Sequence, residues 1–281
     1  LSGDLCHDVL LLHHGAGYTS QTWLALIAQL KLVLPNVCFV TWDMRGHGTS
    51  ADAQKVEMSL NSLVDDVTEV IRAIVAETPK QLEFFLCGHS LGAAVLSAFA
   101  AKNAGKFRIH GLVMIDIIED TAVSALERMP SILADIPKNF VNFDAALKWS
   151  LQGTHSHHFP GCRPNDFIKS SLKSQLVERN GRLEWIADLS AMQPFWNDWF
   201  VGLTDNFLSF GGSRMLVLAG TDYMDRKMTV AQMQGKFQLV VVRESGHVIQ
   251  EDQPADLSHP IASMIEKHLK LLEILRNKAE K

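Results

Sequence analysis

A serine framed by glycines two residues away on either side, Gly88-His89-Ser90-Leu91-Gly92, follows the apolar run Leu82-Glu83-Phe84-Phe85-Leu86-Cys87 and precedes Ala93-Ala94-Val95-Leu96. The pattern reads as strand, sharp turn, helix, with Ser90 at the tip. Such a nucleophile elbow forces its serine into a strained backbone, and bulk at either flanking glycine would strike the crossing strand and helix. The helix that follows points its first N–H groups and positive dipole end at the turn, which suits a developing oxyanion. G-x-S-x-G by itself is a weak signal, and the strand–turn–helix context makes it specific.

A serine hydroxyl needs a base to become a nucleophile. His247, in Glu244-Ser245-Gly246-His247, follows the last apolar run and precedes the last helix. That places it on a loop at the carboxyl edge of a parallel sheet, where sites form. His89 is fixed beside the serine by the turn and points elsewhere, so it is the weaker base. Two backbone donors are expected for the oxyanion: Leu91, and Ala16 in the loop His13-His14-Gly15-Ala16-Gly17. Two such donors supply roughly 3 kcal/mol each of transition-state stabilisation. The loop lacks the lysine and Ser/Thr of a phosphate loop. Asp43 and Arg45, in Trp42-Asp43-Met44-Arg45-Gly46-His47-Gly48, read as loop scaffolding. The acid that must orient the histidine is open. Chain order points to Asp222, in Ala219-Gly220-Thr221-Asp222, while Asp116 also ends a strand, in Val113-Met114-Ile115-Asp116.

These residues need a sheet to hold them. Strands are expected at Val9–His13, Cys38–Trp42, Leu82–Cys87, Ile109–Ile115, Met215–Ala219 and Phe237–Val242. Helices fit near Gln21–Gln29, Leu60–Glu77, Leu91–Lys102 and Ile261–Asn277, with Ser59 capping the second and Pro260 in the first turn of the last. The alternation implies an α/β fold, a mostly parallel sheet covered by helices on both faces. Residues 1–119 and 211–281 would form this core, and 120–210 a helical cap inserted between two strands. The cap aromatics Trp149, Trp185, Phe195, Trp196, Trp199 and Phe200 are read as its core in preference to a binding surface. Thr154-His155-Ser156-His157-His158 is read as a solvated loop rather than a metal site.

The 281 residues are 47% hydrophobic with net charge −5 and pI near 6.2, which argues against nucleic-acid binding. No apolar run approaches the roughly 20 residues of a membrane span, and no signal-peptide pattern is present at Leu1. Cys6, Cys38, Cys87 and Cys162 show no C-x-x-C spacing. Cys38 and Cys87 read as reduced filler in buried strands, consistent with a reducing compartment.

Four further segments resemble the protein phosphatase methylesterase family of α/β-hydrolases. They are Met114-Ile115-Asp116-Ile117-Ile118-Glu119-Asp120-Thr121-Ala122, Phe195-Trp196-Asn197-Asp198-Trp199-Phe200-Val201-Gly202-Leu203, Thr229-Val230-Ala231-Gln232-Met233-Gln234-Gly235-Lys236-Phe237-Gln238, and Gly246-His247 with Glu251-Asp252. The likeness runs in order through nearly the whole chain, and His-His-Gly-Ala-Gly resembles the fungal form. It implies an α/β-hydrolase fold and a serine esterase acting on the carboxy-terminal leucine methyl ester of the type-2A phosphatase catalytic subunit. Asp116 would then be the acid, with Asp222 structural or near the phosphatase contact. It implies the phosphatase as partner, inhibition of it by docking as a second role, and no metal or organic cofactor. A monomer in the cytoplasm, the nucleus or both is expected. The chain starts almost at Val9–His13, so the first strands of the family's sheet, and the acidic cap insertion of some relatives, are expected to be absent. The rival readings are a small-molecule esterase or lipase of the same fold, and an inactive phosphatase-binding inhibitor.

Overall fold

The computed structural model describes residues 7–51, 57–78, 81–103, 105–153, 156–220 and 224–279. In chain order the strands are β1 (Asp8–His13), β2 (Val37–Thr41), β3 (Glu83–His89), β4 (Ile109–Ile115), β5 (Asn139–Phe140), β6 (Leu176–Arg179), β7 (Arg182–Trp185), β8 (Ser213–Leu218) and β9 (Gln238–Val241). Six of them form one sheet in the order β2-β1-β3-β4-β8-β9, with every adjacent pair parallel. β3 is buried along its whole length, as a central strand with both faces covered must be.

Side-chain alternation divides the interior into two cores. Val9, Leu11, Phe84, Leu86, Leu112 and Met114 face one side. Leu10, Leu12, Phe85, Cys87, Val113 and Ile115 face the other. This is the period-2 pattern of a strand with apolar residues on both faces. Helices α1 (Leu24–Val33), α2 (Leu60–Ala76) and α3 (Leu91–Lys102) cover them, α1 on the Leu10 side and α2 and α3 on the Leu11 side. Burying each Leu, Val or Phe contributes about 1.5–3 kcal/mol, so these layers hold the strand ends firmly. Ser59 caps α2, its side chain accepting from Ser62 N–H.

Pro260 departs from expectation. The last helix runs Pro254–Ala279, so Pro260 lies in its interior and not in its first turn. Proline there removes a hydrogen bond and strains the turn by about 3 kcal/mol. Leu257, Ile261 and Ile265 are fully buried around it, continuing one apolar stripe past the break. The burial of that stripe outweighs the local cost.

The insertion between β4 and β8 is not wholly helical. β5, β7 and β6 form a small antiparallel sheet. β6 and β7 are joined at Asn180-Gly181, whose φ values of 51° and 72° are those of a type I′ hairpin turn. The signal was available in the sequence: Asn-Gly between apolar-alternating runs. The aromatics divide in two. Trp196, Trp199 and Phe200 are buried in the same core as Leu86 and Leu96, with Phe195 packed on it. Trp149 and Trp185 belong to a separate cap cluster with Phe140, their rings 5.7 Å apart at 64°.

Cys38 also differs from expectation. It is disulfide-bonded, whereas Cys87 and Cys162 are free thiols. β2 is the outermost strand, so Cys38 is only partly covered and open to a second cysteine, while Cys87 on β3 is sealed in the core. Among the described residues no helix is long and apolar enough to cross a membrane.

The two glycines that flank the turn between β3 and α3 have no room for a side chain. A Cβ on Gly92 would lie 2.2 Å from His13 O and 2.5 Å from His14 O, and one on Gly88 would lie 2.5 Å from Ala93 N. Gly92→Ala is expected to destabilise the protein by about 1–3 kcal/mol or more, because rigid backbone must move. Urea unfolding checks this, and a midpoint equal to the parent's would contradict the packing.

Candidate active site

Ser90 stands between the end of β3 and the first residue of α3, at φ 52° and ψ −121°. Its N–H donates to Ile115 O at 3.0 Å, so the end of β4 holds the turn. A Cβ on Gly15 would lie 3.0 Å from Ser90 Cβ, so the loop after β1 passes directly over the serine. That loop and the first turn of α3 share the contact at Gly92. The loop that carries Ala16 and the first residue of α3, Leu91, thus both adjoin Ser90. Leu91 is the first helical residue of α3, a position whose N–H has no partner within its own helix.

Asp116 follows β4 and is also in the left-handed region, at φ 52°. Its N–H donates to Val217 O at 2.8 Å, and its Oδ1 accepts from Ala219 N–H at 2.8 Å. Its Oδ2 accepts from His247 Nδ1–H at 2.7 Å. The carboxylate is thus clamped by the end of β8 and has one oxygen left for the histidine. The structure brings Asp116 and His247 together, and Asp222 lies outside the described residues. His89 does not act toward the serine. Its Nε2 donates to His247 O at 2.9 Å, and the two rings lie 4.6 Å apart, so it fixes the histidine loop from beneath.

The general α/β-hydrolase family model matches residues 9–259. Relatives named protein phosphatase methylesterase 1 are 35% identical in Candida albicans, over 88% of this chain and 65% of the relative, and 35% identical in Schizosaccharomyces pombe, over 89% and 72%. That of Debaryomyces hansenii is 31% identical over 92% of this chain and 68% of its own length. The chain belongs to the protein phosphatase methylesterase family of α/β-hydrolases. It spans 65% of the length of the Candida relative and 61% of an Aspergillus fumigatus one. The fold is shared more widely. An E-2-(acetamidomethylene)succinate hydrolase superposes with TM-score 0.74 at 23% identity, covering 92% of this chain and 91% of its own. A Mycobacterium tuberculosis esterase superposes with TM-score 0.69 at 21% identity, covering 94% and 86%.

In this methylesterase-family chain the loop over Ser90 is held by neutral histidines. His14 Nε2 accepts from Met44 N–H at 2.8 Å, and its Nδ1–H donates to Gly15 O at 2.8 Å. Burial, aided by His47, pushes His14 down to about 3, so it stays neutral and free to accept. His47 Nε2 accepts from Gly17 N–H at 2.9 Å, and burial lowers it too. Asp43 and Arg45 are the expected scaffolding. Asp43 accepts from Ser20 N–H and from the N–H and hydroxyl of Thr49. Burial would raise it, but those donors hold it at about 2. Arg45 pairs with Asp66 at 2.6 Å.

The histidine-rich stretch is a solvated loop only in part, with His157 exposed and His158 buried. Thr154 and His155 fall outside the described residues, but His157 and His158 reach the site. His157 Nδ1 is 2.8 Å from Tyr18 OH, and its ring stands edge-on to His247 at 5.5 Å. His158 is buried, with Nδ1 2.6 Å from Asp252 Oδ1 and Nε2 3.6 Å from Glu251 Oε2. Buried carboxylates need partners, and these two on the short helix Ile249–Asp252 draw the histidine inward. The spacing between Glu251-Asp252 and His247 in the sequence held no indication of this partner 94 residues earlier.

A cavity of about 570 Å³ opens between sheet edge and cap, bounded by Ala16, Tyr18, Trp149, His157, Trp185 and Leu189 among others. Ser90 and His247 do not line it; Gly15, the residue before Ala16, lies against Ser90, and the His157 ring stands 5.5 Å from that of His247. The cavity lining mixes apolar side chains with polar and charged ones, among them Lys138, Arg179, Glu184 and Asp188.

Burial alone would lower His158, but Asp252, Cys162 and Glu251 outweigh it and raise it from 6.5 to about 10. A raised folded-state value contributes stability that is complete below 6.5 and is lost as pH climbs toward 10. Asp252, which burial would raise, is held below 3.8 chiefly by His158, so its contribution is lost on the acid side. Glu251 is raised by burial and adds to the loss at higher pH. Thermal unfolding from pH 6.5 to 10 is therefore expected to show falling stability in the parent and a shallower fall in His158→Gln. Parallel profiles would show that His158 is not charged in the folded state.

Proposed function

We propose that the chain is a serine carboxylesterase that removes the methyl ester from the carboxy-terminal leucine of the type-2A protein phosphatase catalytic subunit. The observation that carries the chemistry is the 2.7 Å bond from His247 Nδ1 to an Asp116 carboxylate already fixed by Ala219 N–H, beside a serine on an elbow. Family membership carries the substrate.

In this reading Ser90 Oγ attacks the ester carbonyl as His247 takes its proton. Asp116 keeps the imidazole in the required tautomer and stabilises its cation. The N–H groups of Ala16 and Leu91 hold the oxyanion. Methanol departs with the proton from His247, leaving a leucyl acyl-enzyme. Water, deprotonated by His247, then attacks the acyl carbon and releases the free carboxylate and Ser90. None of these steps requires a metal or organic cofactor. The cavity beside Ala16 receives the leucyl side chain and the residues before it.

Ser90→Ala is expected to abolish demethylation of a methylated phosphatase carboxy-terminal peptide, and full activity would refute the proposal. Asp116→Asn should lower kcat by up to ~10⁴, while Asp222→Asn stays near the parent. The reverse ranking would make Asp222 the acid. A fluorophosphonate probe separates the rivals. Labelling together with turnover of p-nitrophenyl esters but not the peptide marks a small-molecule esterase. Phosphatase binding without any labelling marks a sequestering protein.

A further inference from the structure

The polar cluster under the His247 loop has more donors than the proposed esterase chemistry uses. His158 Nδ1, Cys162 Sγ and an Asp252 carboxylate oxygen all lie within 4.8 Å of one another. They come from a short H-x₃-C segment of the cap and from the helix after His247. Cys162 is brought back toward His158 by a tight turn, with Gly161 at φ 90° and Cys162 N–H donating to Phe159 O at 2.9 Å. Cys162 is partly exposed and gives solvent access, whereas His158 and Asp252 side chains are nearly sealed.

We propose that His158, Cys162 and Asp252 form a binding site for a zinc-class divalent transition metal. Imidazole nitrogen, thiolate sulfur and carboxylate oxygen are the donors of tetrahedral zinc sites, and three protein ligands leave a fourth position for water. Magnesium and calcium, which take all-oxygen shells, do not suit this set.

The surrounding groups support the ligands as outer partners of a metal site do. Glu251 Oε2 lies 3.6 Å from the other ring nitrogen of His158, an ion-pair distance longer than a hydrogen bond, on the side where an outer carboxylate partner stands in zinc sites. Glu251 is itself fixed by the hydroxyls of Thr22 and Ser171, at 2.5 and 2.6 Å. Asp252 Oδ2 accepts from Gly246 N–H and Phe159 N–H, each at 2.8 Å, so the oxygen that would turn to the ion is Oδ1, which bonds His158 Nδ1 at 2.6 Å until that ring proton leaves. Charge also balances. The ion displaces one proton from the His158 ring and one from the Cys162 thiol, both released to solvent, so two positive charges replace two. Because Asp252 also anchors the amide beside His247, the bound ion ties the cap segment and the histidine loop together.

The test uses the intact, non-reduced chain, titrated with Co²⁺ and then with Zn²⁺ against a chromophoric chelator. One equivalent of Co²⁺ is expected to give a thiolate-to-cobalt charge-transfer band. Cys87 is fully buried in the sheet core and Cys38 is disulfide-bonded, while Cys6 lies outside the described residues, so the comparison with Cys162→Ser assigns the band. Cys162→Ser should abolish the band and weaken Zn²⁺ at least about tenfold, the scale seen even for loss of outer partners. This variant is at a partly exposed position and keeps the His158–Asp252 pair, so its metal-free thermal midpoint should match the parent's. Absence of the band in the parent overturns the proposal, as does Zn²⁺ affinity unchanged in Cys162→Ser. The latter would place the ion on other histidines. Neither readout involves ester hydrolysis, so the proposal stands or falls apart from the catalytic one.

Discussion

Everything at the candidate site depends on one close approach of backbone to backbone. The first turn of α3 lies against the carbonyls of His13 and His14 with no room for a single carbon between them. Three strands, β1, β3 and β4, end at this point, and each sends one functional segment outward: the Ala16 loop, Ser90 and Asp116. The pairing of β1 with β3 and of β3 with β4 sets their relative height. Packing of the two apolar cores sets the pairing. Geometry finer than an ångström is thereby delegated to hydrophobic layers that have no chemistry of their own.

Polar groups around this point divide by protonation. On the Ala16 side, His14 and His47 are buried and neutral, and they accept backbone N–H bonds that a cation could not. On the His247 side, His158 is buried and cationic because two carboxylates face it. The same residue type thus braces two loops by opposite means, and the choice is made by whether an acid shares the burial. His89 and His157 complete the frame, one below His247 and one beside it.

Much of this was legible in the chain. The elbow, the six parallel strands and the Ser59 cap follow from local patterns of glycine, apolar runs and capping residues, all of which act over a few residues. Asp116 was distinguishable from Asp222 only through likeness to a family, because both end strands and local sequence does not say which carboxylate meets a distant histidine. The partners of His158 were hidden for the same reason: attraction between a histidine and two acids 90-odd residues later leaves no periodic trace. Pro260 and Cys38 show another limit. Each was read from its own preference, and each is overridden by tertiary context, a buried stripe in one case and an edge position in the other. The Asn180-Gly181 hairpin is different, since its signal was present and local.

Four non-glycine residues have positive φ among those described, and three of them, Ser90, Asp116 and Glu244, belong to the segments that build the site. Backbones held there cost on the order of 1 kcal/mol or more each. Glycine would adopt those angles freely, yet it would remove the hydroxyl or the carboxylate. The relaxed version of this fold is therefore an inert one. A lineage that came to need only the surface of the molecule would gain stability as it discarded the chemistry, so the architecture is predisposed to leave durable, non-enzymatic descendants.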